Sequence, residues 1–168
     1  MEYWDILTSD GKRTGKRVRR DQYNRFLPGE YHLVVHIWLV NSKGELLIQK
    51  RSEEREPMPG EWAATSGSAL SGEISRGAAL RELREELGIE IGPDSLQFLH
   101  RFVRKNSIID IWWARLDVEP AHLTLQKEEV TKAAWVGPQR LREMVQNGTF
   151  HYYGADYFKE IFTLVEES

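Results

Sequence analysis

The stretch Gly67–Ile89 reads GSALSGEISRGAALRELREELGI, and its spacing decides the fold. The pattern predicts a helix that starts near Ile74 or Ser75 and ends at Leu87, with Gly88 as its C-terminal stop. At 3.6 residues per turn, Glu82, Glu85 and Glu86 share one face within roughly 100°. Leu80, Leu83 and Leu87 fall on an adjoining face with Ala79 at its edge, so an apolar stripe can be buried with the acids at its border. Glu82 and Glu86 are like charges at i,i+4, which costs roughly 0.2–0.5 kcal/mol unless something offsets it. Arg81 is spaced to pair with Glu85 and offsets part of that cost. A solvated acidic face is the plain reading; the sharper one is a set of hard oxygen donors for a divalent cation such as Mg²⁺. Gly77 inside the helix costs about 1 kcal/mol against Ala, and so predicts a close approach by a neighbouring backbone.

Spacing separates the two readings. Gly67, Glu73, Arg81, Glu82, Leu83, Glu85, Glu86, Gly88 and Ile89 match, without departure, the pattern G-x5-E-x7-R-E-U-x-E-E-x-G-U, with U a bulky aliphatic. With single residue types at roughly 5–7% each, a chance match in a chain of this length is on the order of one in ten million. This is the Nudix box, and the chain resembles a Nudix hydrolase. The resemblance implies an α+β fold, an α/β/α sandwich with a mixed central sheet and the box as loop–helix–loop. It also implies Mg²⁺ or Mn²⁺ as cofactor and a small-molecule diphosphate as substrate. Carried over by position, Glu82, Glu85 and Glu86 are the metal ligands, joined by the carbonyl of Ser66. Arg81 holds the acidic side chains in place, Gly67 supplies a tight backbone turn beside the metal, Glu73 braces the loop and Gly88 closes the box. The general base is either a box glutamate or one of Glu128 and Glu129, just before the last predicted strand.

A second resemblance covers His32 to Trp62, which looks like the isopentenyl diphosphate isomerase branch of the same superfamily. The shared pieces are His32, Gln49-Lys50-Arg51-Ser52 and Pro59-Gly60-Glu61-Trp62. In that branch a basic pair at the positions of Arg51 and Arg55 grips diphosphate; the structural alternative pairs both with Glu53, Glu54 or Glu56. The departures matter more. Gly67 stands where the isomerase has its catalytic Cys, Ala69 where it has a metal-binding His, and Arg25 where it has an upstream His ligand. The frame is isomerase-like and the centre is that of a hydrolase. A Nudix-fold module that binds without catalysis is a further option, but such modules usually lose box carboxylates, and here all are retained.

At 168 residues the chain predicts one domain, residues 1–168, long enough to bury a real core. With 40% hydrophobic and 29% charged residues, it is globular rather than disordered. A net charge of −3 argues against a large nucleic-acid footprint. The absence of cysteine excludes disulfides, thiolate metal sites and a cysteine nucleophile. No apolar run behind a basic start suggests a signal peptide, and Leu33–Val40 is too short to span a bilayer, so a cytoplasmic protein with no membrane partner is expected. Oligomeric state is left open, a homodimer included.

Strands are predicted at Tyr3–Leu7, Leu33–Val40, Glu45–Arg51, Trp62–Thr65, Leu96–Arg104, Ile108–Val118 and Val130–Val136, with helices at Pro138–Gln146 and Tyr157–Val165. The basic stretch Lys12–Arg20 reads better as the return arm of a hairpin than as a phosphate-steering patch. His36, Trp38, Trp112 and Trp113 read as core rather than as a stacking pocket. His32 and His36, four apart on one strand, read as structural rather than metallic.

Overall fold

The computed structural model describes residues 1–167, with Tyr23 and Asn24 described by their backbone alone. Strands β1 (Tyr3–Leu7) and β2 (Arg13–Arg19) form an antiparallel hairpin, so the basic stretch is a return arm. Its Arg13, Lys16, Arg19 and Arg20 are salt-bridged to Asp5, Glu30, Asp21 and Glu2.

The main sheet is built on β3 (His32–Val40) and β8 (Ser107–Arg115), which run parallel in register from His32–Ser107 to Val40–Arg115. Strand β7 (Gln97–Val103) adds to β8 antiparallel, so β8 is central. This is in keeping with its sequence, where Ile109, Ile111 and Trp113 alternate with Ile108, Asp110 and Trp112 so that both faces are largely apolar. Both faces of β3 are buried too. Val35, Ile37 and Leu39 pack towards helix α1 (Ser75–Leu87), whereas Trp38 and Val40 pack under α2 (Pro138–Gln146) and α3 (Ala155–Glu167). A strand covered by helices on both sides reads as an almost unbroken apolar run. Layers of helix, mixed sheet and helix give the expected α/β/α sandwich. Among the described residues no helix is long and apolar enough to cross a membrane.

One predicted strand is two. The β3–β4 hairpin, with β4 at Leu46–Arg51, keeps only the Val40–Leu46 pair before its arms splay. The segment predicted as Trp62–Thr65 fills both freed edges. Strand β5 (Trp62–Ala63) pairs with β4, Ala64 turns the chain in the core, and β6 (Thr65–Ser68) pairs with β3. The other edge of β4 takes β9 (Val130–Val136).

Helix α1 matches its predicted limits. Ala78, Ala79, Leu83 and Leu87 are buried against the sheet, and each leucine contributes about 1.5–3 kcal/mol relative to exposure. Gly88 ends the helix at φ 68°, its N–H donating to the Arg84 carbonyl at 3.0 Å, a left-handed position that suits glycine. The backbone approach expected at Gly77 is absent; a Cβ there would meet only the Ile74 side chain, at an ordinary 3.6 Å. The aromatics are core: Trp38 donates to the Tyr157 hydroxyl at 2.9 Å, and the same hydroxyl lies 2.6 Å from His36 Nδ1. Burial lowers the His36 pKa to about 3, with the charge of His151 adding to it. His32 stacks on Trp4 at 4.3 Å between ring centroids. Asp110, the odd acid in β8, receives a two-pronged guanidinium from Arg101 at 2.6 and 2.8 Å and the Ser75 hydroxyl at 2.7 Å.

Candidate active site

Three stretches of backbone converge on the acidic face of α1. Strand β6, which carries Ser66, lies against its middle, with Gly67 beside Glu82. Strand β4 ends at Arg51, and the following turn carries Arg55. The 123–129 segment docks on the end of the helix, Thr124 and Gln126 donating backbone N–H groups to the carbonyls of Leu87 and Glu86. Ser52 N–H donates to the Glu129 carbonyl at 3.0 Å, which brings the last two stretches together.

The three box acids differ in surroundings. Glu85 is the exposed one, Glu82 is buried, and Glu86 is only 1% exposed. Gln49 donates to Glu86 Oε1 at 3.2 Å, and Arg55 Nη2 stands 2.8 Å from its Oε2. Arg55 Nε in turn lies 2.5 Å from Glu129. Burial, and then the neighbouring charge of Glu86, push the Glu82 pKa up to about 8 despite Arg81. Glu86 is also raised, by burial first, with Arg55 pulling the other way.

Arg81 is a hub. It donates to Glu73 through Nε and Nη2 at 2.8 and 2.9 Å, to Glu82 and Glu85 at 3.0 Å each, and to the Ser68 carbonyl at 3.1 Å. Burial works against its charge, but the Glu73 bonds and the surrounding carboxylates more than offset that and raise its pKa. Glu73 also accepts the Leu70 N–H at 2.7 Å, which closes the loop before the helix.

Gly67 departs from the expected reason for its presence. It is a strand residue whose φ is not in the left-handed region, so no tight turn needs it. A Cβ there would sit 2.1 Å from Glu82 Oε1. Glycine stands at this position because a carboxylate fills the space of a side chain.

Arg51 and Arg55 are both brought to the box and do not ion-pair with Glu53, Glu54 or Glu56. Arg51 is 4% exposed, and its Nε, like Arg55 Nη1, is buried with no hydrogen-bond partner among the described residues. Burial lowers the Arg51 pKa and the charge of Arg55 lowers it further. Of the two outside glutamates, Glu129 faces Arg55 and Glu128 is exposed. Gln49 is a site residue that the sequence reading names only within the shared stretch Gln49-Lys50-Arg51-Ser52, with no role assigned there. Its signal was an amide directly after the apolar run Leu46-Leu47-Ile48, and it is buried and bonded to both Thr65 and Glu86.

The donor set suits a hard divalent cation: carboxylate oxygens crowded into a buried site, where acids outnumber the guanidinium groups. Among the described residues no three such side chains are drawn together as a ready-made cage. Arg81 lies on Glu82 and Glu85, and Arg55 on Glu86. Holding an ion therefore means exchanging guanidinium contacts for metal contacts.

Comparison with known proteins agrees with this arrangement. Residues 30–154 match the NUDIX domain model. The chain is 41% identical over 154 residues to an uncharacterized Nudix hydrolase, lmo0368, of Listeria monocytogenes, covering 91% of this chain and 90% of that protein. It is 36% identical over 83 residues to isopentenyl-diphosphate Delta-isomerase of Escherichia coli, covering 47% of this chain and 46% of that enzyme. In fold it is similar to DR0079 of Deinococcus radiodurans, with a TM-score of 0.76 at 24% identity over 99% of this chain and 98% of that one. With an intact box on the predicted helix and the domain model spanning most of its length, this chain belongs to the Nudix hydrolase family.

Proposed function

We propose that this protein is a metal-dependent hydrolase that cleaves the diphosphate linkage of a nucleoside diphosphate derivative or a related small molecule. The observation that carries the reading is a pair of guanidinium groups, Arg51 buried and Arg55 half-buried, each with a buried N–H that has no partner among the described residues, beside the buried box carboxylate of Glu86. Buried donors without acceptors are costly, and a phosphate oxygen is the acceptor that a guanidinium fork matches best.

Nudix hydrolases generally need a divalent metal. Here Glu82, Glu85, Glu86 and the Ser66 carbonyl would hold Mg²⁺ or Mn²⁺. Such an ion neutralises charge on the phosphate oxygens and lowers the pKa of a bound water. Arg81 fixes the carboxylates, Arg51 and Arg55 hold the diphosphate, and a box glutamate or Glu129 takes the proton from the attacking water. The water oxygen bonds to phosphorus and the bridging P–O bond breaks, leaving two phosphate-bearing products, one of them inorganic phosphate where the diphosphate is terminal.

The test is a panel of nucleoside diphosphate sugars, dinucleotides, nucleoside diphosphates and isopentenyl diphosphate, each assayed with Mg²⁺ or Mn²⁺. Metal-dependent release of phosphate or nucleotide from at least one is expected; no cleavage of any, with the metal bound, overturns the reading. Isopentenyl diphosphate should give no dimethylallyl isomer. Proton transfer to and from carbon needs an acid–base pair, and Gly67 has no room for a side chain. Isomer formed in deuterated buffer would overturn that part.

Arg51→Ala should raise KM for any cleaved diphosphate by about 10-fold or more, since hydrogen bonds to charged groups contribute roughly 1.5–3 kcal/mol. Melting temperature should hold, because the substitution removes a buried charge whose Nε has no partner. Arg51→Lys should recover only part of the loss. Unchanged kinetics with a lowered melting temperature would assign Arg51 to the fold.

A further inference from the structure

The N-terminal hairpin lies outside the matched domain, residues 30–154, yet it holds the loop that leads into α1. Asp5 in β1 accepts the Ser71 hydroxyl at 2.7 Å on one oxygen and the Gly72 N–H at 2.9 Å on the other. The Tyr3 carbonyl accepts the Ser71 N–H at 2.7 Å, and Arg13 donates to the Glu73 carbonyl at 3.2 Å while lying 3.3 Å from Asp5. Four consecutive contacts thus tie residues 71–73 to the hairpin. The hairpin itself is anchored: Leu7 and Tyr31 exchange backbone hydrogen bonds at 2.7 and 3.1 Å, and Trp4, Ile6 and Leu7 are buried.

The seam between hairpin and loop opens to solvent as a cleft of about 220 Å³, lined by Leu7, Leu33, Leu70, Ile74, Arg13 and Arg101. Beside that opening, the four polar bonds tie residues 71–73 to the hairpin. What the loop carries matters: Glu73 takes two bonds from Arg81, and Arg81 donates to both Glu82 and Glu85.

We propose that Asp5 is a positioning residue for the ion site. From a segment outside the shared domain it fixes the 71–73 loop, the loop fixes Glu73, and Glu73 fixes Arg81 and through it Glu82 and Glu85. This rests on the reading of the box as a cation site. Groups that orient metal ligands from behind typically change metal affinity by about 10–100-fold when removed; here that group is Arg81, and Asp5 acts two removes further back, behind Glu73 and the loop that carries it.

The experiment measures Mn²⁺ binding to the full chain by titration calorimetry, below the melting transition, for the wild type, Asp5→Ala, Asp5→Asn, Ser71→Ala and Glu86→Gln. Asp5→Ala should weaken Mn²⁺ binding about fivefold to tenfold. Asp5→Asn, which keeps one acceptor, and Ser71→Ala, which loses one bond, should fall between it and wild type. Hydrogen exchange should quicken at the Ser71 and Gly72 amides and not at the core of α1. Binding by Asp5→Ala within twofold of wild type, with binding by Glu86→Gln lost, would overturn the proposal and leave the cation site standing. Unaltered binding by Glu86→Gln would remove the cation site and this inference with it. If Asp5→Ala does not fold, Ser71→Ala decides alone, and wild-type affinity there overturns the proposal.

Discussion

Glu86→Gln should lower kcat by at least about 10²-fold while leaving the protein as stable as before or slightly more so. The amide keeps the volume, and its one oxygen can still accept from either Gln49 or Arg55, with Arg55 also keeping Glu129. It cannot supply the charge that holds a divalent cation, and the cation carries the charge of the transition state. Stability should not suffer, because burial already disfavours the Glu86 carboxylate and its charge already burdens Glu82. Glu85→Gln should also lose about 10²-fold in kcat, although its exposed carboxylate has less effect on stability. Steady-state rates with Mn²⁺, with excess chelator and after metal is restored give the answer, alongside thermal melts. Full activity in the double variant, or in chelator, would remove the box from the chemistry.

Gly67→Ala is the second large effect, and it separates site from fold. The added methyl would stand 2.1 Å from Glu82 Oε1 and 2.2 Å from its Cδ, so the carboxylate has to leave. It is the far end of a flexible side chain, which keeps the cost to stability near 1 kcal/mol, the lower end for overpacking. The cost to function is larger, since misplacing a reacting or ligating group by about 1 Å takes roughly 10²-fold from the rate. The expected result is a melting temperature within a few degrees of wild type and a rate at least about 10²-fold lower, with weakened Mn²⁺ binding. A fully active Gly67→Ala would show that Glu82 can work from elsewhere.

The parts legible in the sequence were those fixed by neighbours along the chain. The limits of α1, its Gly88 stop, β9 at Val130–Val136 and α2 at Pro138–Gln146 follow from periodicity and local turn chemistry. The same holds for the two faces of β8, where Ile111 and Trp112 enter opposite cores. What could not be read depends on residues far apart. The division of Trp62–Ser68 into β5 and β6 follows from the splay of the β3–β4 hairpin, which no local pattern announces. The pairing of Arg55 with Glu86 and Glu129 needs three distant segments to meet, so the sequence offered only the nearby acids Glu53, Glu54 and Glu56 as the alternative to a diphosphate. Gly67 was found by its place in a motif, but its reason, the Glu82 carboxylate lying where a side chain would be, is visible only in three dimensions. Gly77 is the converse: a glycine inside a helix suggested a neighbour, and none is there.

The parallel pairing of β3 with β8 has a consequence for how the molecule is made. A ribosome delivers the whole of Gly67–Ile89 well before Ser107–Arg115, and His32 cannot find Ser107 until that later strand has emerged. Closing so long a loop is slow and is rewarded only at the end, whereas the β1–β2 and β7–β8 hairpins can form on their own within microseconds. Strand β6 hangs on β3, and Glu82 is seated against β6. A nascent chain that already carries every acid of the motif therefore still lacks the neighbour strand on the other edge of β3. The sheet behind the box is thus completed only once β8 has emerged, later than synthesis of the motif.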